Sequence, residues 1–224
     1  MEQPSFKWLI VEGGVIVASI LFAFAVDAWW ESRQEDEAAQ WLIDRLYADF
    51  MEIRTDLDDV MRRHEVSLDA AVQLYEHDGV LPVNAETDGM LKEVFLGFTT
   101  FNPGSGAVEV FLNNEASRLV ENQPLADLLI RWSAVVEDLK EEEALLALGV
   151  DNRWRPYLAS KVDFRGLFGA RDRIVRDPLD ADREFFVHVS DRLLIQQLAV
   201  RDMQAVSDAV NQILKILEQE ATSD

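Results

Sequence analysis

The sequence predicts an all-α protein: an N-terminal transmembrane helix continuous with a long amphipathic helix, packed into an antiparallel helical bundle. Three observations predict it. Residues 8–30, WLIVEGGVIVASILFAFAVDAWW, form one apolar run bounded by tryptophans. Residues 31–77 contain neither Pro nor Gly and repeat apolar side chains at spacings of three and four. Two further stretches, 124–150 and 191–220, carry apolar stripes at helical spacing and need partners to bury them.

The chain divides into a short tail (1–7), a membrane span (8–30) and an acidic bundle domain (31–224). As a helix the span is roughly 33 Å long, about the thickness of a bilayer's hydrocarbon core. Trp8 marks one boundary and Trp29 and Trp30 the other, where indole rings favour the headgroup region. Ala23-Phe24-Ala25 has the small-x-small form of a signal-peptidase site. Glu12 within the run, a single Lys before it and the Trp pair after it argue for a retained anchor. Glu12, Ser19, Ala23 and Asp27 share one stripe of the helix. Three readings stand: the carboxylates reach for the headgroups, the stripe meets another helix in the membrane, or the carboxylates couple to a proton or ion. Lys7 and the amino terminus set a weak inside bias, which places the domain outside the cytoplasm.

Beyond Trp30 the span runs into a predicted rod on the order of 105 Å long. Its seam reads Leu42, Leu46, Phe50, Ile53, Leu57, Val60, His64, Leu68, Ala71 and Tyr75. Asp78-Gly79 and Pro82 end it, and Asn84 caps a short helix reaching Phe98, with Met90, Leu91, Val94, Phe95 and Phe98 on one face. Asn102 to Gly106 reads as a turn; it lacks the Lys-Ser/Thr ending of a phosphate-binding loop. A brief helix (107–113) and a second turn follow. Pro124 suits the first position of the next long helix, whose stripe includes Leu145, Leu146 and Leu148, and Glu137 to Glu143 reads as a solvated acidic face. The last helix carries Leu194, Leu198, Met203, Val206, Val210, Ile213, Leu214 and Leu217 inward.

The span ending in Trp-Trp-Glu-Ser-Arg (29–33), followed by a helix through Leu42, Leu46, Asp49 and Leu57, resembles a family of uncharacterised bacterial single-pass membrane proteins. Residues 101–125 are similar to that family's turn, short helix, turn and second helix. The resemblance implies architecture and placement in the bacterial inner membrane. It implies no activity and no catalytic residues.

Forty-two acids against 21 basic residues give a net charge of −21, which excludes nucleic acid as a partner. With no cysteines there is no thiol catalysis and no thiolate metal site. His64, His77 and His188 lack metal-ligand spacing, and no Ser sits in a Gly-x-Ser-x-Gly elbow, so no catalytic, cofactor or metal residues are assigned. Asp180, Asp182, Glu184 and Asp191 faintly suggest a calcium loop. Phe185 occupies the place of its obligatory Gly, so an acidic approach to a helix N-terminus is the better reading.

The connecting segment 153–176 is unusual. It holds Arg153, Arg155, Lys161, Arg165, Arg171, Arg173 and Arg176 against two acids, with aromatics interleaved. It reads either as a strap lying on the acidic bundle or as a contact for an anion or an acidic partner. The expected function is a non-enzymatic scaffold or accessory subunit. Its partners are membrane lipid and another membrane protein or a second copy. The alternative is an extracytoplasmic small-ligand sensor signalling through a partner. A pocket of converging polar groups favours the sensor, and a large apolar patch on the rod favours the scaffold.

Overall fold

The computed structural model describes residues 6–78, 80–104, 106–113, 122–168, 179 and 182–221, with side chains described from residue 14 onward except that of Asn113. The chain is all-α, with no strand among the described residues. Helix α1 (Phe6–Glu76) is a single element of 71 residues. Nothing breaks it at Trp30, because no Pro or Gly interrupts the hydrogen-bond ladder there. Its first part, through Trp30, is long and apolar enough to cross a membrane, and residues 14–30 are all exposed. From Leu42 onward one face is buried: Leu46, Phe50, Ile53, Leu57, His64, Ser67, Ala71 and Leu74.

After α1 the chain reverses. Helix α2 (Ala85–Phe95) starts at Asn84, whose Oδ1 accepts from the Thr87 N–H at 2.8 Å, with Glu86 and Asp88 favoured by the dipole in its first turn. Leu91, Val94 and Phe95 lie against Ala70, Ala71 and Leu74 of α1. The chain then descends without regular structure to α3 (Gly106–Asn113), whose Val108 and Phe111 enter a lower core. Helix α4 (Gln123–Gly149) is capped by Asn122 Oδ1, which accepts from Leu125 N–H at 2.9 Å. The Asn122 amide also donates to Glu220 Oε1 at 2.6 Å, tying the foot of α4 to the foot of the last helix. At its top α4 widens into a π turn (Val150–Trp154). Two short helices follow, α5 (Arg155–Lys161) and α6 (Phe164–Leu167), and α7 (Arg183–Ala221) returns to the foot. The four columns run up (α1), down (α2 and α3), up (α4) and down (α7).

Two apolar cores result. The lower joins Leu42 to Leu57, Leu125 to Leu139 and Met203 to Leu217, with Phe50 edge-on to Trp132 at 5.3 Å between centroids. The upper joins Ala70 to Leu74, α2, Leu146 to Leu158 and Phe185 to Ala199, with Phe95 stacked between Tyr157 and Phe185.

The structure corrects several expected positions. Tyr75, Phe98, Leu145, Leu148 and Leu194 face solvent, and Glu143 is buried rather than solvated. Leu68 and Leu198 are only half-buried. Helix α2 stops at Phe95 instead of Phe98, and α7 begins at Arg183 instead of Asp191. One cause accounts for most of these shifts. The buried seams hold strict heptad spacing, and at mid-height their positions are polar. Following leucines therefore leads off the seam. In α7 the inward positions are Phe185, Val189, Arg192, Gln196, Ala199, Met203, Val206, Val210, Ile213 and Leu217. In α4 they are Leu125, Leu129, Trp132, Val136, Leu139, Glu143, Leu146 and Val150. Polar residues at such positions weaken a helical seam and are kept for something other than packing.

Candidate functional site: a polar layer and its cavity

Between the two cores the seams of α1, α4 and α7 place His64, Ser67, Glu143, Arg192 and Gln196 in one layer. Arg192 is 1% exposed. Its Nη2 donates to Ser67 Oγ at 3.0 Å and to the Gly97 carbonyl at 2.7 Å. One face of the guanidinium is covered by the Trp154 indole, 5.0 Å from the ring centroid. Nε and Nη1 are buried with no hydrogen-bond partner among the described residues. Burial draws its pKa down to about 10, against the opposing charge of Glu93, so it stays protonated at neutral pH.

His64 is fully specified by its neighbours. Nε2 lies 2.9 Å from the Thr99 carbonyl, which can only accept, so Nε2 carries the ring proton. Nδ1 then accepts from the Gln196 amide at 2.7 Å, and the same amide nitrogen lies 3.2 Å from the His64 carbonyl. With Nε2 of Gln196 held by two acceptors, its flip is fixed and Oε1 is left without a partner among the described residues. Burial lowers the His64 pKa, and the Arg192 charge lowers it further, outweighing the Thr99 bond, which favours the proton. The imidazole is neutral and satisfied.

A cavity of about 370 Å³ opens on this layer. Arg62, Arg63, His64, Val66 and Ser67 of α1 form one wall. Glu93 and residues 97–99 form the second, and Arg192 with Gln196 the third. Arg62 pairs with Asp59 at 2.6 Å. Below the cavity Glu143, 3% exposed, accepts the Phe101 N–H at 2.7 Å and so pins the segment that carries Gly97, Phe98 and Thr99. Burial pushes the Glu143 pKa up to about 7, while the Phe101 bond and the Lys140 charge oppose the rise.

The expected site residues fall elsewhere. Arg153 pairs with Asp191 at 2.7 Å, Arg155 with Asp151 at 3.0 Å, and Lys161 with Asp182 at 2.9 Å. Arg165 is exposed, and Arg171, Arg173 and Arg176 lie outside the described residues. Arg153 and Lys161 thus bind acids of the chain itself. Asp182 is further engaged by the Tyr157 hydroxyl at 3.0 Å and the Glu184 N–H at 2.9 Å. Its pKa is lowered chiefly by Lys161. Asp180 of the same acidic run lies outside the described residues. Among the described residues no group of three His, Asp or Glu side chains converges as a metal site. In α1, Ala23, Asp27, Trp29 and Trp30 are exposed, and the Ser19 hydroxyl donates to Val15 O at 2.8 Å. Trp8 and Glu12 lie on the same helix, with side chains outside those described.

Sequence reasoning passed over Arg192, Gln196, Ser67 and Glu143. A signal for them existed. Carrying the heptad of Met203–Leu217 back toward the N-terminus lands on Ala199, Gln196 and Arg192 in turn.

Fold and site together define a class: a helix of membrane-spanning length continuous with a four-column bundle that holds a cationic layer at mid-height. No family model, curated protein or solved structure matches the chain, so the site is read from its own geometry.

Proposed function

We propose that the chain is a single-pass protein of the bacterial inner membrane whose extracytoplasmic bundle binds a small ligand in the mid-height cavity. Occupancy is passed to a partner membrane protein or to a second copy. The observation that carries this reading is the placement of Arg192 and Gln196 on the α7 seam, where apolar residues would pack better, in the wall of a cavity that His64, Ser67 and Glu93 also line. The resemblance of residues 26–33 to single-pass membrane proteins supports the placement. Because α1 is one uninterrupted helix, a shift at His64 or Ser67 is transmitted along it to the span. The expected scaffold role survives as the output half of this reading. It is supported by the bare stripe of Ser19, Ala23 and Asp27, which the bundle leaves uncovered.

Two measurements test it. Membranes washed in alkaline carbonate should retain the chain with Met1, or a residue close to it, at its N-terminus. A mature protein starting at Val26 contradicts the anchor. In full-length protein held in non-ionic detergent, some member of a small-molecule library spanning anions, neutrals and cations should perturb the His64 ring signals saturably. A library in which no compound does so, at millimolar concentration, overturns the ligand-binding reading.

A further inference from the structure

We propose that residues 97–101 form a flap over the mid-height cavity, shut while the buried Glu143 carboxyl holds Phe101 and released when that carboxyl ionises and leaves for water. As a gate the flap rests on the ligand-binding reading above and names how that site is regulated; its motion needs no ligand.

The flap is fastened by side chains. Residues 97–104 belong to no helix or strand, and from Phe98 to Gly104 no backbone–backbone hydrogen bond forms among the described residues. Three different helices supply the missing partners. Arg192 of α7 donates to the Gly97 carbonyl at 2.7 Å, and the His64 ring of α1 lies 2.9 Å from the Thr99 carbonyl. Glu143 of α4 accepts the Phe101 N–H at 2.7 Å. The anchors take every second residue, the period of an extended chain, and Phe98 and Thr100 between them are exposed. A segment without a ladder of its own, open to solvent on one side, detaches at lower cost than a packed helix.

Glu143 is the anchor that changes state near neutrality. Arg192 stays charged and His64 stays neutral at pH 7. Burial raises the Glu143 pKa to about 7, against the Phe101 bond and the Lys140 charge. Once ionised, the carboxylate regains its hydration by turning outward. The Phe101 N–H must then find water, and the adjoining Thr100 is already exposed. The Phe101 ring, 2% exposed in the lower core, stays as the pivot. Gly97, Phe98 and Thr99, which form one wall of the cavity, move with the released peptide.

The charged groups around Glu143 are few. Lys140 and the half-buried Glu142 share its helix, and α2 presents the exposed Glu93. Helix α1 presents the buried His64, and α7 presents the buried Arg192 and the half-buried Asp202, which pairs with Arg201 at 3.0 Å. Residues 97–102 carry no titratable side chain. A released Glu143 titrates near 4.5 and a fastened one near 7, so the shut flap holds a proton that the open flap gives up. Opening therefore grows as pH rises through this window and levels off above it. Release of His64 with the flap acts in the opposite direction below pH 6.5, so a comparison of variants isolates Glu143.

The test uses the full-length chain in non-ionic detergent micelles, without ligand. Hydrogen exchange is read by NMR at the Phe101 amide and at the Leu129 amide inside α4, corrected for the intrinsic pH dependence of exchange. Phe101 should be less protected than Leu129. Relative to Glu143→Gln, its protection in wild type should fall roughly 50-fold from pH 5 to 8 and level off above about 7. The variant keeps an oxygen for the Phe101 N–H but cannot ionise. Carbethoxylation of His64, mapped by mass spectrometry, should quicken with pH in wild type relative to the variant, because the opened wall uncovers the ring.

Phe101 protection equal to that of Leu129 at every pH overturns the flap, and that comparison needs only the wild type. An identical pH trend in wild type and Glu143→Gln overturns the control by Glu143. Opening at Phe101 with no change in His64 reactivity overturns the gate. A ligand library that fails leaves all three results standing, so the flap and the ligand-binding reading fail separately.

Discussion

Gly149→Ala should destabilise the bundle by about 2 kcal/mol, although Ala is the better helix former. Gly149 ends α4, and the π turn after it folds Trp154 back over the helix. A Cβ at Gly149 would meet the Trp154 ring within 2.8 Å at three atoms, the nearest at 2.5 Å. Trp154 is fully buried and cannot swing into solvent. With three contacts below 3.0 Å the overfilling lies at the upper end of the usual range, about 3 kcal/mol, against roughly 1 kcal/mol gained in helix propensity. Gly89 of α2 is the internal control, since a Cβ there meets nothing within 4 Å. Gly89→Ala should stabilise by about 0.5–1 kcal/mol. Thermal melts of the two variants should move in opposite directions. The Gly149 variant should fall by about 4–8 °C if its loss is about 2 kcal/mol in a chain of this size. It should also perturb the His64 signals, because Trp154 sets the plane of Arg192 and Arg192 borders the His64–Gln196 pair. Melts that rise for both variants contradict the close packing of Trp154 on Gly149.

Replacing Glu143 by Gln should change how stability depends on pH. The folded-state pKa of Glu143 is raised to about 7, from the 4.5 of an unperturbed Glu. Between these values the folded state holds a proton that the unfolded state has released. Stability therefore falls as pH rises through this window, and below about 4.5 both states are protonated and the group contributes nothing. Across the window the effect is on the order of 3 kcal/mol. His64 acts in the opposite sense. Its folded pKa is lowered, so its contribution is present above 6.5 and is lost as pH falls below that value. Only the difference between variants isolates Glu143. Wild type minus Glu143→Gln should lose stability from pH 5 to about 7 and level off above that. A difference that is flat over that range removes the buried carboxylate from the account. The neutral amide still offers an oxygen to Phe101 N–H, which keeps the 97–101 segment in place and makes the substitution a mild one.

Much of the architecture was legible in the sequence because helix patterning is a local property. The Pro- and Gly-free run 31–77, Asn84 before α2 and Pro124 in the first turn of α4 all mark elements at or close to their observed positions. The register at mid-height was not legible from hydrophobicity. Leu68, Tyr75, Leu145, Leu148 and Leu194 are the residues an apolar stripe selects, and each sits beside the true seam. What displaces them is Ser67, Glu143, Arg192 and Gln196, polar residues whose burial depends on partners contributed by other helices and by the 97–101 segment. Those partners are 125 and 132 residues away in sequence for Arg192 with Ser67 and Gln196 with His64. No window-based reading connects them. The basic segment left two readings open, a strap on the bundle or a contact for a partner. Its charge cluster stands out in sequence, and Arg153 and Lys161 pair with acids of the chain itself, as a strap would.

The claim on which the rest depends is that Arg192 is held in the bundle for a ligand and not for the fold. The most direct measurement is the unfolding free energy of Arg192→Met against wild type, without ligand, by denaturant titration of the full chain in micelles. Met removes a buried guanidinium whose Nε and Nη1 are unpartnered and fills much of the same volume. The acceptors it abandons, Ser67 Oγ and the Gly97 carbonyl, border the cavity, where water can replace the lost donor. Ser67 Oγ also keeps its contact of 3.3 Å with the Glu93 carbonyl. The account predicts a variant at least as stable as wild type. A loss of about 2 kcal/mol or more, the scale of broken charge-assisted hydrogen bonds, would show Arg192 to be a structural strut and contradict it.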